Sequence, residues 1–405
     1  NTNFKITLQE DTETLDEVVV VGYGVQKKSD VTGAMARVGE KELKAMPVRN
    51  ALEGMQGKTA GVDITSSQRP GEVGNINIRG QRSINAEQGP LYVVDGMVIQ
   101  NGGIENINPS DIEAIDILKD ASATAIYGSR GANGVILVTT KKGKEGKVTL
   151  NYSGTVTFET LHDVTEMMSA TEWLDYARLA KYNAGSYASA TPTFEADKAA
   201  FGSVSASWKN IEQAWSNGNY DPSKVGSYDW ASHGKQTGIT HEHTLSASGG
   251  SDKFQGYASF GYLDQKGTQP GQAYERYTLK TSFDVTPVDW FKMGSSINAS
   301  YSTQDYGYSF SKSVTGSGDF YSALRSMIPW TMPYDENGEY VRYPSGDVNI
   351  INPIRELDYN TNQRRTFRAS ASMYSQIDFG KIWKPLEGLS SSVWSRISIL
   401  HSRSC

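Results

Sequence analysis

Four consecutive valines, Val18 to Val21, are the feature that most constrains how this chain folds. β-Branched side chains favour an extended backbone, so the run is predicted to be a β-strand. It lies in the segment LDEVVVVGYG, residues 15–24, where two acids precede the valines and two glycines flank a tyrosine after them. A strand of this kind can pair its backbone edge with the sheet of another protein. Taken alone, the run is better interpreted as one more buried strand.

The composition excludes several classes of protein. The chain has 405 residues and a net charge of −6, which does not indicate a nucleic-acid partner. Its single cysteine, Cys405, allows neither a disulfide framework nor a cysteine metal site. No apolar run approaches the roughly 18 residues of a membrane helix. A membrane-spanning barrel strand, however, needs only about 10 residues of alternating polarity.

From residue 147 onward, apolar and polar residues alternate with a period of two. In the first such stretch, Val148, Leu150 and Tyr152 alternate with Thr149 and Asn151. Each stretch has one apolar face and one face of Ser, Thr, Asn and Lys, as expected for strands of a membrane barrel. Stretches of this kind occur at 148–158, 239–247, 254–262, 277–285, 291–301 and 367–379.

The connections between these stretches differ greatly in length. Residues 249–252 and 286–289 are tight turns, 264–273 is a loop of middling length, and 161–238 and 302–362 are very long. Short turns on the periplasmic side and long loops outside are typical of outer-membrane barrels. A soluble β-sandwich would rarely carry two loops of this length.

Residues 28–145 are predicted to form a compact α+β domain. They contain short apolar runs of strand length, many glycines, and a short helical pattern at 47–56. Asp95 and Gly96 separate two apolar runs, which is a strong signal for a β-hairpin because glycine readily adopts positive φ. A basic linker at 141–147 separates this domain from the alternating strands.

Taken together, these segments resemble one family. The segments at 55–64, 75–84, 90–99 and 107–144 resemble the plug domain of the SusC/RagA-type TonB-dependent outer-membrane transporters, and 246–267 resembles an early barrel hairpin of that family. The valine run is similar to the family's TonB box. The resemblance implies that residues 28–145 are the plug and that TonB binds residues 15–24, through Asp16, Glu17, Val18, Val19, Val20, Val21, Gly22, Tyr23 and Gly24.

The implied fold is an α+β plug domain followed by an antiparallel transmembrane β-barrel. The barrel, at 147–389, is expected to be incomplete, with about six or seven strands where transporters of this kind have about 22. Residues 1–14 are expected to be the last strand of a truncated N-terminal β-sandwich with its linker. Residues 390–405 contain seven serines in sixteen residues without clear alternation, so an atypical tail is expected there.

Catalysis and cofactor binding find little support. His241 and His243 share one face of a strand, but no third metal ligand is near in sequence, so a structural histidine pair is favoured over a metal site. The glycine-rich stretch 128–134 lacks the Gly-Lys-Ser/Thr ending of a phosphate loop and leads into a strand, so a tight turn is favoured. We therefore expect no enzyme, no cofactor and no metal.

Three arginines of the plug lie in glycine-rich stretches: Arg79, Arg82 and Arg130. A buried boundary between plug and barrel must satisfy the charges that it encloses. We therefore predict that these arginines contact carboxylates of the barrel wall. The alternative is that they are ordinary solvated arginines.

The resemblance implies active import of a large nutrient, an oligosaccharide or a peptide, across the bacterial outer membrane. TonB would supply the energy, with the plug and TonB box facing the periplasm. A SusD-like lipoprotein would cover the extracellular mouth, and outer-membrane lipid would surround the barrel. The alternative is a surface β-rich glycan-binding or adhesion protein without transport. Detergent fractionation separates the two, since a binding module is expected to be soluble without detergent.

Overall fold

The computed structural model describes residues 18–21, 24–27, 35–43, 50–72, 74–80, 89–99, 104–120, 124–162, 166–308, 320–382 and 390–404. Most of them belong to two packed parts. One is the plug, with a mixed β-sheet, and the other is a long antiparallel sheet, which we call the wall. The predicted α+β plug followed by antiparallel barrel strands is confirmed. The predicted remnant of a β-sandwich at 1–14 lies outside the described residues.

The plug and the segment before it consist of short strands and short helices. Their elements in chain order are β1 (Val18–Val21), β2 (Gly24–Lys27), β3 (Met35–Gly39), α1 (Glu40–Leu43), α2 (Ala51–Met55), β4 (Val62–Thr65), β5 (Asn75–Ile78), β6 (Leu91–Val94), β7 (Met97–Val98), β8 (Ile112–Leu118) and β9 (Val135–Thr140). Five of these strands form one sheet in the order β3-β8-β9-β6-β7. β6 is parallel to β9, and the other pairs are antiparallel.

The plug has its own hydrophobic core on both faces of this sheet. On one face, Leu52 and Met55 of α2 pack with Ile115, Ile117 and Ile136. On the other face, a smaller cluster contains Val93, Leu118, Val135 and Leu137. The predicted hairpin at Asp95 and Gly96 is present between β6 and β7, with φ of 48° and 77° at the two turn residues.

The wall contains seven antiparallel strands. They are β10 (Gly146–Glu159), β13 (Gly238–Gly250), β14 (Phe254–Lys266), β15 (Gln272–Val288), β16 (Phe291–Tyr306), β17 (Gln363–Asp378) and β18 (Ser390–Ser404). Each pairs with the next in the order β10-β13-β14-β15-β16-β17-β18. Among the described strands, β10 and β18 are not paired with each other, so the sheet is open, as expected for a partial barrel.

The prediction of an atypical tail at 390–405 is wrong, because Ser390–Ser404 is the seventh wall strand. Its register pairs Ala369 with Ile399, Ala371 with Ile397, and Ser375 with Val393. The alternation is therefore present but is interrupted by serines at 391 and 395, which hides it in the sequence. Ladder hydrogen bonds to β17 place this segment in the sheet even where its own apolar pattern is weak.

The connections divide into two rims, because consecutive antiparallel strands alternate in direction. Residues 251–253 and 289–290 form short turns at one rim. The long connections after β10 and β16 lie at the other rim, together with 267–271. The loop predicted at 264–273 is shorter than expected, because β14 and β15 extend into it with paired residues as far as Lys266 and Ala273.

The two long connections fold into a helical layer. Its helices are α3 (Ala170–Asn183), α4 (Phe194–Phe201), α5 (Ser205–Glu212), α6 (Phe320–Arg325) and α7 (Pro353–Tyr359). A further short helix, α8 (Phe379–Ile382), follows β17 at the opposite rim and is not part of this layer. A small hairpin pairs β11 (Trp215–Ser216) with β12 (Asn219–Tyr220). Trp330 of the second connection packs against Leu174 and Ile211 of the first. None of the described helices is long and apolar enough to cross a membrane.

A buried ion pair organises the first long connection. Arg178 of α3 donates from Nε to Asp197 Oδ1 of α4 at 3.0 Å, and Asp197 is fully buried. Tyr187 and Trp215 also donate to this carboxylate, at 2.7 and 3.0 Å. The carboxylate therefore holds together the two helices and the small hairpin. Burial and the hydrogen bond to Asp197 raise the pKa of Tyr187.

We expect Asp197→Ala to destabilise this layer by about 3–5 kcal/mol, because it removes the buried carboxylate that Arg178, Tyr187 and Trp215 share and leaves the guanidinium only the exposed Asp175. Hydrogen exchange of residues 170–220 in the detergent-refolded chain measures the change. Lys209→Ala is the control, since Lys209 and Glu336 form an ion pair at 2.6 Å in which both side chains are 58% exposed. It should cost at most about 1 kcal/mol. Equal exchange in both variants would contradict the role given to Asp197.

Candidate functional site

The contact between plug and wall is centred on a buried lysine of the wall. Lys280 lies in the middle of β15, and its side chain is 2% exposed. Its Nζ lies 3.8 Å from Asp95 Oδ2 and donates to Thr140 Oγ1, both in the plug. Asn298 of the neighbouring strand accepts from the same Nζ at 3.3 Å. A buried ammonium group is tolerated only when it is paired and hydrogen-bonded in this way.

The backbone turn between β6 and β7 holds Asp95 in position for this contact. Its carboxylate accepts from the Thr140 backbone N–H at 2.9 Å, and also from the Thr140 hydroxyl. Thr140 is the last residue of β9, which pairs in parallel with β6. The hairpin and the parallel strand pair therefore present one carboxylate and one hydroxyl together to Lys280.

Two wall arginines contact a second acidic residue of the plug, Glu105, one at its backbone carbonyl and one at its carboxylate. Arg276 donates from Nη1 to the Glu105 carbonyl oxygen at 2.6 Å, and its side chain is 3% exposed. Arg368 of β17 lies with Nη1 3.5 Å from Glu105 Oε1. In the plug, burial raises the pKa of Tyr92, and the negative charge of Glu105 raises it further. Glu105 is the plug residue that faces the wall arginines.

Further hydrogen bonds extend this contact along the wall. Tyr257 donates to Asp111 Oδ1 at 2.8 Å, and Asn108 donates to Thr244 Oγ1 at 2.9 Å. Gln304 donates to the Pro70 carbonyl oxygen at 2.8 Å. All the wall residues in these contacts occupy the face opposite to the apolar one. The polar face that was predicted from the alternation is thus the face that binds the plug.

The charge pairing at this boundary has the opposite polarity to the predicted one. Here the wall supplies the cations and the plug supplies the carboxylates. Arg79 pairs instead with Asp120 of the plug itself. Arg130 is exposed, and Arg82 lies outside the described residues. A wall contact by any of these three arginines remains a prediction.

A cavity of about 90 Å³ lies between plug and wall beside Lys280. Its plug side is largely apolar, and its wall side carries polar groups. The lining includes Met97, Val98 and Ile107 of the plug, and Asn298, Ser300 and Arg368 of the wall. A space of this size with polar groups on one side can hold a few water molecules. The boundary therefore combines buried polar contacts with a small gap in the packing beside Lys280.

The outer face of the wall carries an aromatic row. The register places His243, Tyr262, Tyr277, Tyr301 and Phe367 side by side across five neighbouring strands. Tyr277 and Tyr301 are exposed, as are Leu279, Phe260 and Ile297 nearer the turns. Phe254 and Trp290 are exposed near the turns.

The length of β15 is consistent with a membrane-spanning strand. From Tyr277 to Val288 the strand extends about 36 Å. At a typical barrel tilt this is roughly 28 Å along the membrane normal, which fits the apolar band of an outer membrane.

His243 and the glycine-rich stretch can be placed in the structure. His243 Nδ1 hydrogen-bonds the Tyr152 hydroxyl at 2.8 Å on the outer face of the wall. In the described part of the chain, no three His, Cys, Asp or Glu side chains are grouped to hold a metal. The stretch at 128–134 forms part of a 3-10 turn, Ala125–Gly131, before β9. Gly134 has a φ of 92°, and a Cβ there would lie 2.6 Å from Ile78 Cδ1, so this position favours glycine.

The valine run is a strand, and it is paired within the chain. β1 is antiparallel to β2, with Val19 opposite Gln26 and Val21 opposite Gly24. Asp16, Glu17, Gly22 and Tyr23 lie outside the described residues. Binding of TonB to residues 15–24 therefore stays a prediction. The sequence interpretation missed the pairing with β2, although Gly22 between two runs of strand-forming residues is a hairpin signal.

The buried charges at the boundary between plug and wall lead to a test. We expect Asp95→Ala to destabilise the detergent-refolded chain by about 3–5 kcal/mol, because Lys280 is left buried without its counter-ion. The double variant Asp95→Ala with Lys280→Met should recover most of this loss, since no buried charge remains. Urea unfolding followed by tryptophan fluorescence measures both.

The control for this cycle is Lys144→Ala. Lys144 lies 3.8 Å from Glu113, with the lysine side chain 79% exposed, so its removal should change the unfolding free energy by less than about 1 kcal/mol. A double variant that is as unstable as Asp95→Ala alone would show that burial of the Lys280 charge is not what requires Asp95.

Comparison with known proteins agrees with this arrangement. The family model of the TonB-dependent Receptor Plug Domain matches residues 27–135. TonB-dependent receptor P3 of Formosa agariphila is 34% identical over 96% of this chain and 35% of its own length. TonB-dependent receptor SusC of Bacteroides thetaiotaomicron is 32% identical over 88% of this chain and 33% of its own length.

Solved structures show the same fold. The RagAB peptide importer in its open-open state superposes with a TM-score of 0.75 and 26% identity, covering 96% of this chain and 43% of that one. The RagAB peptide transporter gives 0.71 and 27%, covering 92% and 42%. The chain spans about a third of the length of the curated relatives that it matches. The plug, the lumen-facing polar contacts and these relatives together show that the chain belongs to the SusC/RagA-type TonB-dependent receptors.

Proposed function

We propose that this chain carries the plug and part of the barrel wall of an importer that moves a large nutrient across the bacterial outer membrane. One observation carries the proposal. The plug has its own core, and buried polar contacts around Lys280 hold it against one face of the wall. The other face of the wall is apolar and carries the aromatic row. Such a sheet separates lipid on one side from a blocked lumen on the other.

The proposed orientation follows from the two rims of the wall. The rim with the long connections would face outside, and the rim with the turns at 251–253 and 289–290 would face the periplasm. The outer membrane has no ATP, so the energy for opening would come from TonB bound at residues 15–24. TonB would pull on this segment and displace the plug from the wall, breaking the contacts of Asp95, Glu105 and Asp111.

The ligand class is proposed to be a peptide or an oligosaccharide. The RagAB relatives are described as a peptide importer, which favours a peptide. The outer helical layer offers aromatic surfaces for either ligand: Tyr334 packs on Tyr340 at 5.1 Å, and Tyr340 packs on Tyr359 at 5.9 Å between ring centroids. A SusD-like lipoprotein is proposed to cover this rim. The alternative, an adhesion protein without transport, gives no role to the plug or to the valine strand.

The proposed role of the valine strand can be tested by uptake. In cells that depend on the receptor containing this chain, Val19→Pro should abolish energised uptake of the labelled nutrient while binding at the cell surface remains. Proline removes a backbone N–H and blocks strand pairing. Uptake and binding are measured separately, with and without an uncoupler of the inner membrane.

Val19→Thr is the matched control, because threonine is also β-branched and keeps the backbone N–H. This variant should take up the nutrient at the rate of the unmodified receptor. Normal energised uptake by Val19→Pro would contradict the assignment of this segment as the site that TonB pulls.

A further inference from the structure

The outer face of the wall changes from apolar to polar in a single step of the register. On the side of the aromatic row that is nearer the turns, exposed residues such as Leu279 and Ile297 are apolar. The next row on the other side, toward the long connections, is polar. It contains Glu275, Thr303 and Arg365 side by side on three neighbouring strands. This row is therefore the first polar one beyond the apolar band.

The polar row lies at the height of lipid headgroups. On β17, Arg365 is two residues beyond Phe367 of the aromatic row. Two residues of a strand span about 7 Å, or roughly 5 Å in height at a typical barrel tilt. The headgroup layer on each side of the hydrocarbon core is about 5–7 Å thick. In the orientation proposed above, Arg365 is thus in the headgroup layer of the outer leaflet.

The side chain of Arg365 is exposed and is oriented by its neighbours. Its Nε donates to Gln363 Oε1 at 2.9 Å, and the Gln363 amide donates in turn to Asp305 Oδ1 at 2.8 Å. The amide therefore stands between the guanidinium and the carboxylate. Among the residues that the structure describes, Nη1 and Nη2 of Arg365 have no acceptor. The guanidinium thus presents two amino groups to a ligand on the outer face.

Two hydroxyl groups accompany Arg365 on this face. Thr303 is directly opposite Arg365 in the register, and Tyr301, which is opposite Phe367, is its diagonal neighbour. Directly opposite side chains have Cβ atoms about 5 Å apart, and diagonal neighbours are within reach of long or aromatic side chains. Tyr301 is 41% exposed. One guanidinium and two hydroxyl donors therefore surround a common point on the outer face.

The acid of the polar row is engaged on its other side. Glu275 is next to Thr303, on β15. Its Oε1 accepts from the Tyr277 hydroxyl at 2.7 Å and from the Tyr262 hydroxyl at 3.3 Å. These two tyrosines belong to β15 and β14, the strands farther from Arg365. The negative charge of Glu275 is thus held by donors away from the guanidinium.

We propose that Arg365, with the hydroxyl groups of Thr303 and Tyr301, binds the phosphate of an anionic lipid headgroup in the outer leaflet. A guanidinium forms paired, charge-assisted hydrogen bonds to phosphate, which a lone hydroxyl cannot. The acyl chains of the same lipid would lie along the apolar band, against Leu279 and Ile297. The occupant is a lipid because the site directly adjoins this band. The inference rests on the proposed function, since it requires the outer face to lie in a membrane.

The experiment measures lipid binding to the full chain, refolded in detergent, by native mass spectrometry. The probes are phosphatidic acid and a diacylglycerol with the same acyl chains, which differ only in the phosphate. We expect the unmodified chain to bind phosphatidic acid about tenfold more tightly than diacylglycerol. Arg365→Gln should remove most of this preference, and Thr303→Val, which keeps the β-branched shape, should reduce it by about twofold to threefold.

Arg364→Gln is the matched control. Arg364 is the preceding residue of β17 and is also exposed, but it pairs with Gln304 on the face that binds the plug. The variant removes the same charge from the opposite face of the same strand. It should change the preference for phosphatidic acid by less than about twofold, because salt screens charges at that distance. An equal loss in Arg364→Gln and Arg365→Gln would overturn the proposal.

The outcomes separate this inference from the proposed function. If neither lipid binds the unmodified chain, the outer face is not a membrane surface, and the proposed function fails together with the inference. If both lipids bind equally well, the outer face is a membrane surface without a phosphate site. Displacement of phosphatidic acid by inorganic phosphate would show a site for a soluble anion and would also overturn the proposal. Circular dichroism and urea unfolding of each variant should match those of the unmodified chain.

Discussion

The contact of Lys280 with Asp95 is the interaction on which the arrangement of plug and wall depends. Neither charge is tolerated alone in a buried boundary, because the desolvation free energy of a single ion exceeds the stabilisation that the surrounding packing provides. Lys280 belongs to the wall and Asp95 to the plug, and the two are 185 positions apart in the chain. The two parts therefore satisfy their buried charges only when they are docked. Thr140, Asn298 and Ser296 complete the hydrogen bonding of the ammonium group.

The same contact has a consequence for transport. A plug held by continuous apolar packing would be expensive to move, whereas polar groups released from a protein contact can bond to water. The plug meets the wall through Lys280, Arg276, Arg368, Tyr257 and a few neutral donors, with a small cavity beside them. Once water enters, these contacts lose much of their strength, because charges interact weakly in high dielectric. The contact between plug and wall is thus stable while water is excluded and becomes weak once water enters the boundary.

The alternation of polar and apolar residues predicted the wall strands, and the structure extends most of them beyond the predicted ends. The stretch predicted at 277–285 is part of Gln272–Val288, because the strand continues past the apolar band, where Glu275 lies on the outer face in register with Asp264. Serines concealed the alternation of the seventh strand. The ion pairs at the boundary were not predictable, since a single sequence does not tell which of its 45 acidic residues meets a given lysine across so long a separation. Arg79 is an example: the sequence predicted a carboxylate of the wall as its partner, whereas the structure pairs it with Asp120 of the plug.

The central claim is that the polar face of the wall binds the plug through these inward contacts. Cross-linking tests it most directly. In a Cys405→Ser background, Asn108→Cys and Thr244→Cys replace two side chains that are 2.9 Å apart across the boundary. The account predicts rapid cross-linking of the refolded chain by a short thiol reagent. It also predicts none between Asn108→Cys and Leu245→Cys, since Leu245 is on the outer face and 54% exposed. Equal cross-linking of both pairs, or of neither, would contradict the account.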